Sequence, residues 1–332
     1  MIISKTPFRI SLFGGGTDYP SWYRDNGGSV LATAIDKYCY ISCRHLPPFF
    51  EYKHRIVYSK IESVKTIEEI QHPVVRAVLS NLSISAGLEI HHDADLPARS
   101  GLGSSSSFTV GLINVLNALK GLQISKQDLA KQAIYLEQKV LKETVGSQDQ
   151  VLAAFGGFNR IDFYPDDSFN ISPAIINKDL LGKLQSHMLL FFTGISRFSS
   201  EIARDKVSNF SNHFQELTQI KAMVDEGMSI LQNPSTPIID FGKLMHESWK
   251  LKRSLSVKVS TPKIDEIYEA GIKAGAIGGK ILGAGGGGFI LFFAEPENHN
   301  KILERLKSLV HVAFHFDNVG SKIVVYEPNE FK

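Results

Sequence analysis

The segment that most limits what this chain can fold into is LPARSGLGSSSSF, Leu96 to Phe108. Ahead of it, Leu88, Ile90, His92, Ala94 and Leu96 alternate with Glu89, His91, Asp93 and Asp95, the period-two pattern of a strand. Behind it, Phe108, Leu112, Ile113, Leu116 and Leu119 recur at helical spacing. A strand, two loop glycines and four serines opening a helix bring several backbone N–H groups and the positive end of a helix dipole to one point. A helix N-cap needs only one serine. The surplus predicts a loop for a polyphosphate, whose hydroxyls add hydrogen bonds and are able to ligate Mg²⁺.

Two further glycine segments flank the chain. In PFRISLFGGGTDYP, Pro7 to Pro20, a β-like run ends in Gly14, Gly15 and Gly16, where backbone can approach a ligand closely and Asp18 presents a carboxylate. It is not a dinucleotide fingerprint, although Asp36 follows Gly16 by 20 residues, because Tyr19 occupies the third glycine position and Pro20 disrupts the expected helix. KILGAGGGGFILFF, Lys280 to Phe293, carries five glycines in six residues but precedes a strand and is not followed by GK[ST], which excludes a Walker loop. HRD and DFG are absent, which excludes a protein kinase. Between these segments, LEQKVLKETVGSQDQ holds an acidic pair: Glu137 on a helix expected over Lys126 to Glu143, and Asp149 beyond Gly146. A lone helical Glu is an ordinary solvated residue; these two gain meaning only beside the loops.

Composition narrows the rest. The 332 residues are 43% hydrophobic, enough for roughly two domains, expected at residues 1–183 and 184–332. The second half reads as α+β, with helices on one face of an antiparallel sheet. A net charge of +2 gives no general attraction to nucleic acid, though a local basic pocket stays open. The two cysteines, Cys39 and Cys43, fall on one strand face as buried thiols and form no CxxC motif or zinc set. The start MIISKTPFRISLF lacks a signal peptide's apolar stretch, and no window nears the ~18 apolar residues of a membrane span, so a cytoplasmic protein is expected.

The three segments, in order from Pro7 to Phe293, resemble the motifs of the GHMP kinase superfamily, with GLGSSSS the most specific and GAGGGGF the next. The resemblance implies an α+β, two-domain fold, an N-terminal α/β domain (ribosomal-protein-like) and a C-terminal ferredoxin-like domain, with the site in the cleft between. It implies ATP and Mg²⁺ as cofactors and a small-molecule acceptor; it leaves a homodimer open. Residue by residue, Arg99, Ser100, Gly101, Leu102, Gly103, Ser104, Ser105, Ser106 and Ser107 would cradle ATP, and Glu137 with Ser105 would hold the metal. Asp149 and Arg9 would form the reacting pair. Gly15, Gly16, Thr17, Asp18 and Tyr19, with Gly285 and Gly286, would line the acceptor pocket. Galactokinases carry an acidic and a His residue where this chain has Gly15 and Gly16. The wording PFRISLFGGGTDYP, HHDADLPARSGLGSSSSF and GSQDQ looks most like the bacterial D-glycero-D-manno-heptose 7-phosphate kinases of that superfamily, which phosphorylate an anomeric hydroxyl. A sugar phosphate needs cations, and Arg24, Lys37, Arg44, Lys252 and Arg253 are candidates. Three rivals stay open: a kinase for free fucose or galactose, a sensor that keeps the ATP fold without turnover, and a decarboxylating lyase.

Overall fold

The β-branched and aromatic residues at the start of the chain build two long antiparallel strands, β1 (Ile2–Phe13) and β2 (Gly28–His45), joined by the glycine turn and helix α1 (Pro20–Asn26). The computed structural model describes residues 1–98, 100–195 and 199–328. After β2 come β3 (His54–Val57), β4 (Ile61–Val64), α2 (Pro73–Asn81), β5 (Leu88–Ala94), α3 (Ser104–Leu119), α4 (Lys126–Tyr135), α5 (Gln148–Phe155), β6 (Phe158–Phe163) and β7 (Phe169–Pro173). β2 is long enough to take several partners along one edge. Gly28 to Thr33 pair with β6, and Cys39 to His45 pair with β5.

The second half contributes α6 (Lys178–Ser186), β8 (Met188–Phe192), α7 (Ser199–Ser208), α8 (Phe214–Gln232), α9 (Ile239–Ser254), α10 (Pro262–Lys273), β9 (Ala276–Ile281), β10 (Phe289–Ala294), α11 (His299–Arg305), β11 (Val310–His311), β12 (Phe316–Asp317) and β13 (Lys322–Tyr326). A four-stranded antiparallel sheet, ordered β11-β8-β10-β9, forms as expected. The last two strands do not join it. β12 pairs with β2 and β13 with β1, completing a nine-stranded sheet. The two sheets are therefore not built from consecutive halves of the chain, and the boundary expected at 183/184 falls inside α6. Asp36 belongs to this return: it accepts from the His315 backbone N–H at 2.8 Å.

Two local features place the site. β1 and β2 slip register between Pro7 and Phe8, where proline has no N–H to pair. There Ser107 Oγ donates to the Pro7 carbonyl at 2.8 Å, and Arg9 N donates to the Leu102 carbonyl at 3.0 Å, seating α3 and its loop across β1. The helix expected from Lys126 to Glu143 stops at Tyr135 and widens into a π-turn, Leu136–Val140, which the 3.6-residue pattern could not announce. Glu137 sits in that turn. The two halves share one core: Phe13 of β1 meets Phe241 of α9 edge-on at 4.9 Å, and Phe241 meets Phe293 of β10 at 5.9 Å. Burying such rings contributes about 1.5–3 kcal/mol each, which holds the cleft walls in register.

Candidate active site

The first turn of α5 organises the site. Successive helical residues point about 100° apart, so Gln148, Asp149 and Gln150 reach three different groups. Asp149 takes a bidentate ion pair from Arg9, Nε to Oδ1 and Nη2 to Oδ2, both 2.8 Å. Gln148 Nε2 donates to Asp18 Oδ2 at 2.9 Å, and Gln150 Nε2 donates to Glu137 Oε2 at 2.5 Å. Arg9 gives its remaining nitrogen, Nη1, to the Gly101 carbonyl at 2.8 Å. One guanidinium thus joins the acidic residue to the serine loop, in the fork geometry that suits a carboxylate.

Asp18 is 1% exposed, held by the Gly16 N–H at 2.9 Å as well as by Gln148. Burial, with the nearby Asp149 charge adding, raises its carboxyl above the usual range, while the Gly16 N–H and Lys206 oppose the rise. Thr17, expected among the sugar contacts, is instead fully buried in the turn. Its hydroxyl lies 2.9 Å from the Gly14 and Ser29 carbonyls and accepts from Ser29 N–H at 3.1 Å. Tyr19 is also buried, its ring against Phe210 and its hydroxyl pushed upward by burial. Gly15 is half-buried and Gly16 buried.

In the loop, the structure separates two groups of residues expected to act alike. Ser100 accepts from Phe289 N–H and Leu102 from Arg9 N–H, while Ser107 binds Pro7; these three tie the loop down. Gly101, Gly103, Ser104 and Ser105 form its accessible rim at the N-terminus of α3. Arg99 lies outside the described residues. The serine that reaches Glu137 is Ser106, not the expected Ser105: Ser106 Oγ donates to Glu137 Oε2 at 2.9 Å, whereas Ser105 is exposed. Glu137 is completely buried, and burial lifts its carboxyl to about 7, with Thr109, Gln150 and Ser106 opposing and Glu143 adding. Its Oε1 has no partner among the described residues.

The glycine segment was expected to admit substrate, but its tight approaches are to protein backbone. A Cβ on Gly101 would lie 2.7 Å from the Leu282 carbonyl oxygen, and one on Gly283 would lie 2.6 Å from Gly101 Cα. Gly285 packs equally closely on Val259, whose carbonyl accepts from Gly286 N–H at 2.8 Å. The segment is thus a buttress behind the serine loop.

Four of the five candidate cations are paired elsewhere: Arg24 with Asp167, Lys37 with Asp36, Arg44 with Glu89 and Arg253 with Asp265. Lys252 belongs to the site wall, donating to the Ile281 and Gly283 carbonyls at 2.7 Å each. Sequence reasoning missed Lys206 of α7 and Lys280 of β9, because a helical or strand lysine carries no sign that it is buried. Lys280 donates to the Leu12 carbonyl at 2.7 Å, and burial lowers its ammonium to about 7, with Arg9 and Lys206 adding. Burial also lowers Lys252, with Lys280, Lys206 and Arg9 reinforcing it. Arg9, Lys206 and Lys252 act on Asp18 or Asp149, and Lys280 acts on Lys252; a bound anion would favour the charged forms that burial disfavours in these lysines.

The sequence profile of the GHMP kinases N terminal domain matches residues 66–157, and that of the GHMP kinases C terminal domain matches residues 235–311. The chain is 29% identical over 324 residues to the D-glycero-alpha-D-manno-heptose 7-phosphate kinase of Campylobacter jejuni, covering 92% of this chain and 93% of that protein. It is 24% identical over 336 residues to a mevalonate kinase of Pyrococcus abyssi, covering 92% of each. A crystal structure described as a D-glycero-D-manno-heptose 1-phosphate kinase from Bacteroides thetaiotaomicron has the same fold, with TM-score 0.80 at 23% identity over 98% of this chain and 100% of that one.

Proposed function

The chain belongs to the GHMP kinase family, and from that premise we propose that it transfers a phosphoryl group from ATP to the anomeric hydroxyl of D-glycero-D-manno-heptose 7-phosphate, giving the 1,7-bisphosphate. Family membership together with its heptose phosphate kinase relatives makes it an ATP-dependent sugar kinase; the particular sugar phosphate is our reading, as is a place in making nucleotide-activated heptose for surface polysaccharides. The observation that supports the reading is the Arg9 clamp, which joins Asp149 to the Gly101 carbonyl of the serine loop, as an acid–base group beside a phosphate site would require.

Phosphoryl transfer asks a protein chiefly for positioning and charge neutralisation. Asp149, in the first turn of α5 and 23% exposed at its side chain, is the carboxylate an acceptor hydroxyl reaches directly. It accepts the hydroxyl proton as the oxygen attacks, while Arg9 keeps the carboxylate aimed. Asp18, buried in the turn on which α7 packs, would accept from ring hydroxyls once the acceptor is seated. The accessible rim of Gly101, Gly103, Ser104 and Ser105 offers the N-terminal end of α3 to the nucleotide phosphates. A phosphorylated acceptor would favour the charged forms of Lys206, Lys252 and Lys280, which burial disfavours.

The donors around Glu137 fit Mg²⁺: a buried carboxylate with one oxygen unpartnered, beside a serine hydroxyl, is a hard-oxygen set. Glu137 and Ser106 would hold the ion, which when bound neutralises phosphate charge. Glu137→Gln is expected to raise the Mg²⁺ needed for half-maximal activity by at least about tenfold. An unchanged Mg²⁺ requirement in the folded variant would make Glu137 structural.

The substrate reading is tested by kcat/KM for the heptose 7-phosphate beside free heptose, galactose, fucose and mannose. A charge-assisted contact to the 7-phosphate contributes ~1.5–3 kcal/mol, so the free sugar is expected to be poorer by roughly 10- to 200-fold. A free sugar as best substrate would leave the kinase standing and remove the heptose phosphate.

A further inference from the structure

We propose that Lys206 is a positioning residue of this site: the counter-charge of Asp18, carried onto the acceptor turn by helix α7 from the other half of the molecule. The proposal rests on the kinase reading above and goes beyond it by assigning a residue that none of the motifs contains.

Lys206 is 3% exposed, and its Nζ lies 4.6 Å from the centroid of the Tyr19 ring. α7 is seated on this turn: Ala203 packs in one buried cluster with Tyr19, Trp22 and Phe210. The groups whose charges act on Lys206, or on which it acts, come from every element around it. Asp18 comes from the turn, Asp149 from α5, Lys252 from α9 and Lys280 from β9, and Arg9 of β1 acts on those same two lysines. Tyr19 supplies the apolar face.

The two carboxylates are provided for unequally. Asp149 has both oxygens in the Arg9 fork. Asp18 is more deeply buried, lies close enough to Asp149 for repulsion, and accepts its hydrogen bonds from the neutral donors of Gly16 and Gln148. A buried carboxylate with only neutral donors and a like charge nearby tends to take up a proton, and a protonated Asp18 would lose acceptor capacity for sugar hydroxyls. Two cations bear on Asp18 and oppose this, Lys206 and Lys252; Lys252 is committed to the Ile281 and Gly283 carbonyls, whereas Lys206 stands against Tyr19 at the turn itself. The effect runs both ways, since Asp18 and Asp149 offset the burial that disfavours the Lys206 ammonium. An aromatic face beneath the ammonium adds a contact that does not compete for the carboxylates.

The test compares wild type, Lys206→Met, Lys206→Arg, Asp18→Asn and the double variant K206M/D18N, using whichever sugar the wild type phosphorylates best. Lys206→Met is expected to lower kcat/KM for the sugar by up to about tenfold on the acid side of its pH profile and to leave the ATP KM within about twofold. The acid limb of its kcat/KM profile should move up by about one pH unit, because Asp18 then gains a proton at higher pH. Lys206→Arg should restore the limb. In the Asp18→Asn background, adding Lys206→Met should cost less than about threefold, because the charge it serves is gone. The urea midpoints of the same proteins give an activity-independent readout: the two single losses should not add in the double variant. An unmoved acid limb in folded Lys206→Met, or fully multiplicative rate losses together with additive midpoints, would overturn the proposal. Absence of turnover in the wild type with every sugar would count against the kinase reading alone, and the midpoints would still decide on Lys206.

Discussion

Asp149→Asn is expected to lower kcat by about 10²- to 10⁴-fold with the nucleotide affinity unchanged, the scale on which a positioned acid–base group contributes. Asparagine keeps the shape of aspartate but exchanges one acceptor oxygen for an NH₂ group. Arg9 now meets Asp149 with two donors 2.8 Å from the two oxygens, so one of those contacts would become donor against donor. The acceptor hydroxyl would lose its proton acceptor at the same time. The serine loop should stay in place, because it is tied down independently through Ser100 to Phe289, Leu102 to Arg9 N–H and Ser107 to Pro7. Rapid-mix turnover and an ATP titration on the same folded preparation separate the two quantities. Turnover within a few-fold of wild type would remove Asp149 from the mechanism. Lys in place of Arg9 should not rescue function, since a point ammonium cannot span both carboxylate oxygens and the Gly101 carbonyl together.

Gly146→Ala is expected to reduce kcat/KM for the sugar by about 10²-fold, although residue 146 touches neither nucleotide nor sugar in the proposed roles. A Cβ built there would lie 1.9 Å from Asp18 Oδ2. The carboxylate cannot swing aside cheaply, because Gly16 N–H and Gln148 Nε2 hold it from two directions and Ser147 N–H is bonded to the Asp18 carbonyl at 2.9 Å. Displacing a substrate-orienting group by about 1 Å is enough to cost two orders of magnitude. The ATP KM should stay put, as the serine loop is fastened elsewhere. Sugar and ATP kinetics on a variant whose circular dichroism matches wild type would test this; an unaffected sugar KM and kcat would show that Asp18 does not grip the acceptor.

These predictions differ in how far the sequence could foresee them. Asp149 and Arg9 were legible through the resemblance, at motif-matching positions, but not that one guanidinium also holds the loop carbonyl of Gly101. Gly146 was legible only as a helix stop; its contact with Asp18 belongs to three dimensions. The exchange of Ser105 for Ser106 is a matter of helical phase: one residue turns a side chain by about 100°, and four consecutive serines carry no mark of which one faces Glu137. The π-turn that holds Glu137 was hidden for a similar reason, since an inserted residue breaks the 3.6 period without leaving a compositional trace.

What the sequence determined by itself is everything that rests on neighbouring residues. Alternation set β5, helical spacing set α3, and the left-handed backbone angles of Gly101 (φ +81°) and Gly103 (φ +78°) are conformations that glycine adopts at little cost. The tertiary structure alone decided which charges meet. Arg9 and Asp149 are 140 residues apart, and Lys206 reaches the Asp18 turn from the other half of the chain. A lysine on a helix reads as solvated until another element buries it. β12 and β13 returned to the first sheet because β1 and β2 still offered unpaired backbone N–H and C=O groups at their edges, and hydrogen-bond satisfaction across a sheet is indifferent to distance along the chain.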